Sequence, residues 1–236
     1  MIFKSSIFAI KIPRMRNIYK WILIPSYLVF FLTFCNTNES NHRIDKTDIQ
    51  EVYELDMKFT GLYWTAYKTN DKIPVSGHFD EFSCDRGNQE FGSIEEFLNG
   101  LKFSIKSSSS FSSDVTRDQN LKDYFFKYLT DNFEINGSLG RPINDSIDIS
   151  FNILGQNKTV RFAYSERLLG PSWNVIQIIG TIDLVNQFDA IKAYSSIHER
   201  CIDLHKGSDG ISKTWERVDV IFIASVMNYS NYPYFD

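Results

Sequence analysis

The 236-residue sequence has little of what marks the non-globular classes of protein. It contains only 12 Gly and 6 Pro, which excludes collagen, low-complexity fibres and wholesale disorder. It also lacks an excess of positive charge, because 25 Lys and Arg stand against 29 Asp and Glu, so nothing predicts a nucleic-acid partner. What is present is 43% apolar and 15% aromatic residues, enough for a real core, and the aromatic share favours strands.

The N-terminal segment lacks both acidic residues and a long apolar run. Residues 1–34 carry five Lys or Arg and no Asp or Glu, and the apolar run at 21–34 is shorter than the roughly 20 residues that cross a bilayer. Such a pattern is typical of a secretory signal peptide, with an uncleaved signal anchor as the alternative and Met15 as a second possible start. Without residues 1–34, 20 positive charges remain against 29 negative ones, a net charge of −9. We therefore expect an acidic, exported protein.

The apolar run ends in Leu32-Thr33-Phe34-Cys35, which resembles a bacterial lipobox. The resemblance implies that Cys35 is acylated and becomes the mature N-terminus. We therefore predict a signal peptide and lipobox-like cysteine at 1–35, a polar tether at 36–50 and one folded domain at 51–236. The expected location is a membrane-anchored lipoprotein, periplasmic or at the cell surface.

Two cysteines remain beyond the predicted anchor, Cys84 and Cys201. An even pair in an oxidising compartment is able to form a disulfide. Each is equally well explained as a small buried hydrophobe, since the geometry decides between the two. The sequence leaves both alternatives open.

Most of the chain after Val52 alternates apolar and polar residues with the two-residue period of half-buried strands. The clearest runs are 147–153 and 160–164, and the turn residues 155–158 between them predict an antiparallel hairpin. Further predicted strands lie at 59–67, 75–82, 101–106, 133–139, 175–184 and 218–227. About eight strands without alternating long helices predict an all-β, antiparallel fold.

Helical signals are few and short. A capping box at 93–96 begins one helix, and apolar stripes predict a second over about 119–130 and a third over about 187–204. An antiparallel sheet of about eight strands removes its edges most completely by closing, so we expect a β-barrel covered by two or three short helices. A barrel of this size is filled by side chains or holds one small ligand.

Three stretches resemble the YceI-like proteins, which are exported, lipocalin-like β-barrels that bind polyisoprenoid lipids. They follow one another between residues 59 and 227, and they are Trp64-Thr65-Ala66-Tyr67-Lys68-Thr69 with Val75-Ser76-Gly77-His78-Phe79, Arg117-Asp118-Gln119-Asn120-Leu121 with Phe125-Phe126, and Leu204-His205-Lys206-Gly207-Ser208-Asp209-Gly210 with Ser212-Lys213-Thr214-Trp215. The resemblance implies a binding protein rather than an enzyme, with a polyisoprenoid or isoprenoid quinone as its ligand and no resident cofactor or metal.

A lipid-binding lumen would be lined by the alternating apolar residues of the strands. The expected lining is Phe103, Ile105, Phe133, Ile149, Phe151, Phe162, Ile176 and Ile178. Phe151 and Phe162 lie on the two strands of the predicted hairpin, and we expect both to face the same side of the sheet. The alternative for all eight residues is a filled core, because small barrels pack their interior.

Two polar or amphipathic residues are further candidates for ligand contact. Arg117 would pair with lipid head-group oxygens, or it would form a salt bridge where a loop enters a helix capped by Thr116 or Asp118. Trp215 would touch the ligand or plug one end of the barrel.

Two other function classes compete with lipid binding. His198, Cys201 and His205 share one helix face at a spacing suited to metal ligands, which would suit a metal-dependent enzyme, but no fourth ligand is evident. No nucleophile triad or phosphate-binding loop stands out. A surface-displayed interaction protein with a filled barrel would use exposed aromatics, and Tyr229, Tyr232, Tyr234 and Phe235 are the candidates. The sequence leaves the oligomeric state open.

Overall fold

The computed structural model describes residues 52–87 and 89–231. The predicted signal peptide at 1–35, the lipidation site Cys35 and the tether at 36–50 lie outside the described residues. So do three of the candidate C-terminal aromatics, Tyr232, Tyr234 and Phe235.

The described residues form one antiparallel sheet. Its eleven strands are β1 (Tyr53–Leu55), β2 (Gly61–Lys68), β3 (Ile73–Phe79), β4 (Phe82–Asp85), β5 (Lys102–Lys106), β6 (Ser110–Phe111), β7 (Glu134–Leu139), β8 (Ser146–Ile153), β9 (Gln156–Gly170), β10 (Trp173–Asp183) and β11 (Arg217–Asn228). All predicted strands are present, and β9 is much longer than predicted. The all-β, antiparallel prediction is confirmed.

The sheet closes on itself, because β3 pairs with β6 and β4 pairs with β5. Paired strands follow the order β4-β5-β7-β8-β9-β10-β11-β2-β3-β6, and β1 adds to β11. The chain runs from β3 into β4 across Asp80 and Glu81, and from β5 into β6 through a helical turn, Ser107–Ser109. Hydrogen bonds from Asp80 N to Ser109 O (3.2 Å) and from Lys106 N to Glu81 O (3.0 Å) continue the pairing across both interruptions. With each interrupted strand counted once, and with β1 left out because it only adds to β11, the described residues form a ring of eight strands.

Short helices cover both ends of this barrel. Helix α1 (Ile94–Leu98) lies between β4 and β5, at the end where β10 begins and β11 finishes. At the other end, α2 (Val115–Leu121) continues through a wider turn at Lys122–Phe126 into α3 (Lys127–Leu129), and α4 (Leu184–Phe188) and α5 (Ile191–Arg200) connect β10 to β11. The predicted cap of α1 is confirmed, since Ser93 Oγ accepts from Glu96 N at 3.3 Å. Within residues 52–87 and 89–231, no helix is long and apolar enough to cross a membrane.

Several sequence-based boundaries were wrong. The predicted helix over 187–204 is split, because Asp189 adopts a left-handed conformation (φ 54°) that ends α4. Helix α2 begins earlier than predicted and is capped by neither Thr116 nor Asp118. Its cap is Asp114, whose carboxylate accepts from Arg117 N at 3.0 Å.

The turn of the β8–β9 hairpin was also misplaced. It is the pair Leu154-Gly155, both with positive φ, rather than residues 155–158. A two-residue turn of this kind matches the twist of the flanking strands, and Leu at its first position carries no sequence signal for it. Because the turn is shorter than predicted, both strands of the hairpin extend further towards the turn.

Candidate functional site

The barrel encloses a cavity of about 370 Å³ with a predominantly apolar lining. This size falls in the range of small-molecule sites, about 300–1,000 Å³. Eight of the ten residues predicted for ligand contact line it, namely Phe103, Ile105, Arg117, Ile149, Phe151, Phe162, Ile178 and Trp215. As expected, Phe151 and Phe162 share one side of the sheet, with ring centroids 6.1 Å apart.

The other two predicted residues do not line the cavity. Ile176 faces inward and is fully buried, but it lies nearer the start of β10, where Ala224 opposite it and Val226 are also fully buried and off the cavity wall. Phe133 was predicted to begin a strand, yet it ends a helical turn before β7 with a positive φ and carries Lys122 near its ring. The interior is therefore filled towards α1 and open towards the other helices.

Three of the lining aromatics lie over glycines on the neighbouring strand. Directly paired positions are Trp64 with Gly77 and Phe103 with Gly137, and Phe162 packs on Gly180 in the same way. A Cβ on any of these glycines would collide with the ring it faces. The missing side chains let the large rings lie close to the sheet, which keeps the centre of the lumen free.

Polar residues of the lining come from the end of the barrel beneath α2 and α5, which we call the mouth. They include Lys68 at the end of β2, Arg117 and Asn120 of α2, and His205 and Thr214 of the segment after α5. Asn120 accepts from Arg200 Nε at 2.9 Å, which joins α2 to α5 beside the mouth. Polar groups at one end of an apolar cavity are the arrangement that orients an amphipathic ligand.

Arg117 combines the two roles weighed from the sequence. Its guanidinium lies 3.3 Å from Asp114 and donates to Ser112 O at 3.4 Å, while the side chain also lines the cavity. The backbone N–H of Arg117, together with its charge, holds the pKa of Asp114 below its ordinary value. Lys68 differs from Arg117, because within the described residues it has no ion pair.

Trp215 both closes and lines the mouth. Its indole Nε1 donates to Thr69 O at 2.8 Å, and the ammonium of Lys72 lies 4.4 Å from its ring centroid. These contacts fix the ring between the β2–β3 turn and the segment before β11.

The histidines of the proposed metal site serve a different purpose. His198 Nδ1 and His205 Nδ1 both contact the hydroxyl of Thr214, at 2.9 and 2.7 Å. Among the described residues, no group of three or more His, Cys, Asp or Glu side chains is placed to hold a metal ion. Burial, followed by the charges of Lys68 and His198, lowers the pKa of His205 to about 4, so its imidazole is neutral at pH 7. The spacing of His198, Cys201 and His205 predicted that they share one face of a helix. In the structure α5 ends at Arg200, before His205.

The two cysteines are free thiols, so the disulfide alternative is wrong. Cys201 is buried and Cys84 is half-buried, and both contribute to the cavity wall. Burial raises the pKa of the Cys84 thiol to about 11 and also raises that of Cys201. Both therefore behave as small, unreactive hydrophobes at neutral pH.

No family model matches the sequence, and a search of curated proteins gave no significant match. Solved structures do match. The polyisoprenoid binding domain from Saccharophagus degradans, described as implicated in plant cell wall breakdown, is 12% identical over 76% of this chain and 99% of its own, with a TM-score of 0.52. The chain has the fold of that polyisoprenoid-binding domain. The YceI-like fold implied by the sequence resemblance is thus confirmed.

Two further solved structures also match. BcnA of Burkholderia cenocepacia is 10% identical, with 73% of this chain and 99% of BcnA covered and a TM-score of 0.45. The YCEI protein of Campylobacter jejuni is 19% identical, with 65% of this chain and 84% of that protein covered and a TM-score of 0.42.

Sequence reasoning missed two features of this barrel. The glycine–aromatic pairs need the strand register, which a two-residue period does not supply. Lys68 gave no signal either, because a lysine in an alternating strand is ordinarily a solvent-facing residue. Its position at the mouth follows from the end of β2, where it pairs with Thr214 in an isolated bridge.

Proposed function

We propose that this protein holds one long-chain apolar lipid, a polyisoprenoid or an isoprenoid quinone, in the barrel and acts as a binding protein rather than an enzyme. The observation that carries the proposal is the cavity itself, whose apolar walls end in polar groups at one mouth. The shared fold with a polyisoprenoid-binding domain supports it.

Apolar contact supplies a large part of the free energy for such binding. Each buried CH₂ group contributes about 0.8 kcal/mol, so one five-carbon isoprene unit contributes about 3–4 kcal/mol. Four buried units give about 14 kcal/mol, from which association and ordering subtract about 4–15 kcal/mol. Micromolar affinity requires about 8 kcal/mol. A ligand with four buried isoprene units therefore reaches micromolar affinity by apolar contact alone when association and ordering cost less than about 6 kcal/mol.

The mouth suits the polar end of such a lipid. Lys68 and Arg117 are cations on the cavity wall, and Lys68 lacks an ion pair within the described residues. A phosphate or carbonyl oxygen placed there would gain a charge-assisted hydrogen bond, while the chain extends towards Phe151 and Phe162.

The cellular role that we propose is an envelope carrier or storage lipoprotein. Its support is the sequence alone, through the signal-like segment and the lipobox-like Cys35. In this role the acyl chains hold the protein at a membrane outside the cytoplasm, and the barrel keeps its ligand away from water.

Displacement of a fluorescent polyisoprenoid analogue from delipidated protein tests the proposal. We expect polyprenyl phosphate or a long-chain quinone to displace the probe at micromolar concentration, and a short-chain alkyl phosphate to fail. Lys68→Ala should weaken a phosphate-bearing competitor more than an uncharged quinone. The proposal would be contradicted if the probe bound wild-type protein no better than it binds an unrelated β-barrel with a filled core.

A further inference from the structure

A cluster of apolar side chains projects from the end of the barrel opposite the mouth. It consists of Phe59, Leu168, Leu169 and Trp173, which we call the apolar tip. Phe59 and Leu168 are each 64% exposed and Leu169 is 46% exposed. The rings of Phe59 and Trp173 lie 6.4 Å apart, which joins the segment before β2 to the start of β10.

The apolar tip is held in place rather than loose. Trp173 Nε1 donates to Ser225 Oγ at 2.9 Å, and Asn228 N donates to the carbonyl of Ser172 in the hairpin turn at 2.8 Å. A bulge between Trp173 and Asn174 shifts the register at the start of β10. These bonds fix the Trp173 side chain and the backbone of the hairpin turn, so little backbone ordering is needed on a partner.

The chain enters the barrel at this same end. Tyr53 of β1 pairs with Asn228, and Trp173 pairs with the adjacent Met227. Cys35 precedes Val52 by 17 residues, and a chain of that length reaches at most about 60 Å when fully extended. An anchor at Cys35 would therefore keep Val52, at the end of the barrel that carries the apolar tip, within about 60 Å of the bilayer.

Charge around the tip is mixed. Asp56 and Glu166 are its acidic residues, and Asp56 Oδ1 accepts from Lys58 N at 3.0 Å. Lys58 and Arg167 immediately precede Phe59 and Leu168, and both are exposed. Neither forms an ion pair within the described residues. An aromatic pair and leucines beside unpaired cations are the composition of a surface that sits at a membrane–water interface.

We propose that the apolar tip docks on the bilayer that carries the N-terminal anchor, with Leu168, Leu169, Phe59 and Trp173 at the interface. The mouth lies at the opposite end of the barrel, so this docking points the mouth away from the anchoring membrane. Lys68, Arg117 and Trp215 then face the aqueous compartment or a second membrane.

Depth-sensitive labelling of the full chain tests this orientation. Leu168→Cys and Leu204→Cys each receive an environment-sensitive fluorophore, and the protein is reconstituted into phosphatidylethanolamine–phosphatidylglycerol vesicles containing dibrominated phosphatidylcholine. Leu204 is a matched control, because it too is 64% exposed but lies at the mouth. Wild-type protein, which contains Cys35, Cys84 and Cys201, measures the background labelling. We expect the brominated lipid to quench the label at 168 at least threefold more than the label at 204.

Equal quenching at both positions, or none at 168, would overturn the proposal. A blue shift at 168 without quenching, together with a dimer in sedimentation, would also overturn it and assign the tip to a second copy of the chain. If cysteine at 168 disturbs the hairpin, Phe59→Cys offers a second position on the same tip, for which the same threefold excess is expected. The result does not depend on whether the barrel carries lipid, so its failure is distinguishable from failure of the proposed function.

Discussion

Replacing Phe151 by glutamine separates a lipid-binding lumen from a filled core. Phe151 lines the cavity, and its ring meets Phe103 at 5.6 Å and Phe188 at 6.0 Å between centroids. Phe151→Gln removes apolar contact with a ligand and places an amide against hydrocarbon, which costs about 1–3 kcal/mol. A loss of about 2–3 kcal/mol corresponds to roughly 30–150-fold weaker binding.

The cost in stability should be smaller than for an ordinary core phenylalanine. Truncating a fully packed Phe costs about 3–5 kcal/mol, but one side of Phe151 faces the cavity and has fewer contacts to lose. We expect about 2 kcal/mol, a fall in melting temperature of about 4–8 °C for a domain of this size. Phe97 of α1 is the matched control, since it is buried off the cavity wall between Tyr53 and Phe91. Phe97→Gln should lower the melting temperature by about 8–16 °C and leave binding of the folded protein unchanged.

Titration of both variants with the fluorescent analogue below their melting temperatures, beside thermal unfolding followed by circular dichroism, provides the two readouts. The reasoning predicts that they rank the variants in opposite orders. If binding falls in proportion to stability for both, Phe151 acts only as a core residue. In that case the cavity is not the binding site.

Three further predictions each concern a single residue. Gly180→Ala should lower the free energy of unfolding by about 1–3 kcal/mol in denaturant titration, because the new methyl group would collide with the Phe162 ring. Gly170→Ala should leave stability unchanged, because the space around Gly170 is open, and equal effects of the two variants would contradict the packing argument. Burial lowers the pKa of His205 from 6.5 to about 4, so the unfolded chain takes up a proton first as the pH falls, and the free energy of unfolding should decrease between about pH 6.5 and pH 4. His205→Asn should flatten this dependence on pH, and an unchanged slope would refute the role of His205. Cys35→Ser should release the protein from membranes or block its processing, which membrane fractionation and the mass of the mature protein would show. Unchanged membrane attachment with the same N-terminus would refute acylation.

The sheet was largely predictable because its signal is local. Alternation in β8, such as Ile147, Ile149, Phe151 and Ile153, identifies a half-buried strand without knowledge of its partners. The interruptions at Asp80-Glu81 and at Ser107–Ser109 carry no such pattern, so the way the barrel closes appears only once the pairing is known.

Alternation along a strand predicted which residues face the interior, but it predicted little else about the site. Alternation placed Phe103 and Ile178 inside, but it did not distinguish Ile178 on the cavity wall from Ile176 in the filled part, because the difference is one of depth along the barrel axis. The histidine spacing suggested a metal site, yet the partner of His198 and His205 is Thr214, from a segment that helical periodicity does not describe.

Mass spectrometry of an organic extract from natively purified protein tests the central claim most directly. The account predicts one long-chain isoprenoid lipid in near-stoichiometric amount from wild-type protein, and much less from Phe151→Gln purified in parallel while still folded. A wild-type extract without a specific lipid, combined with a Phe151→Gln variant that simply unfolds, would contradict the account and identify the barrel as one without a bound lipid.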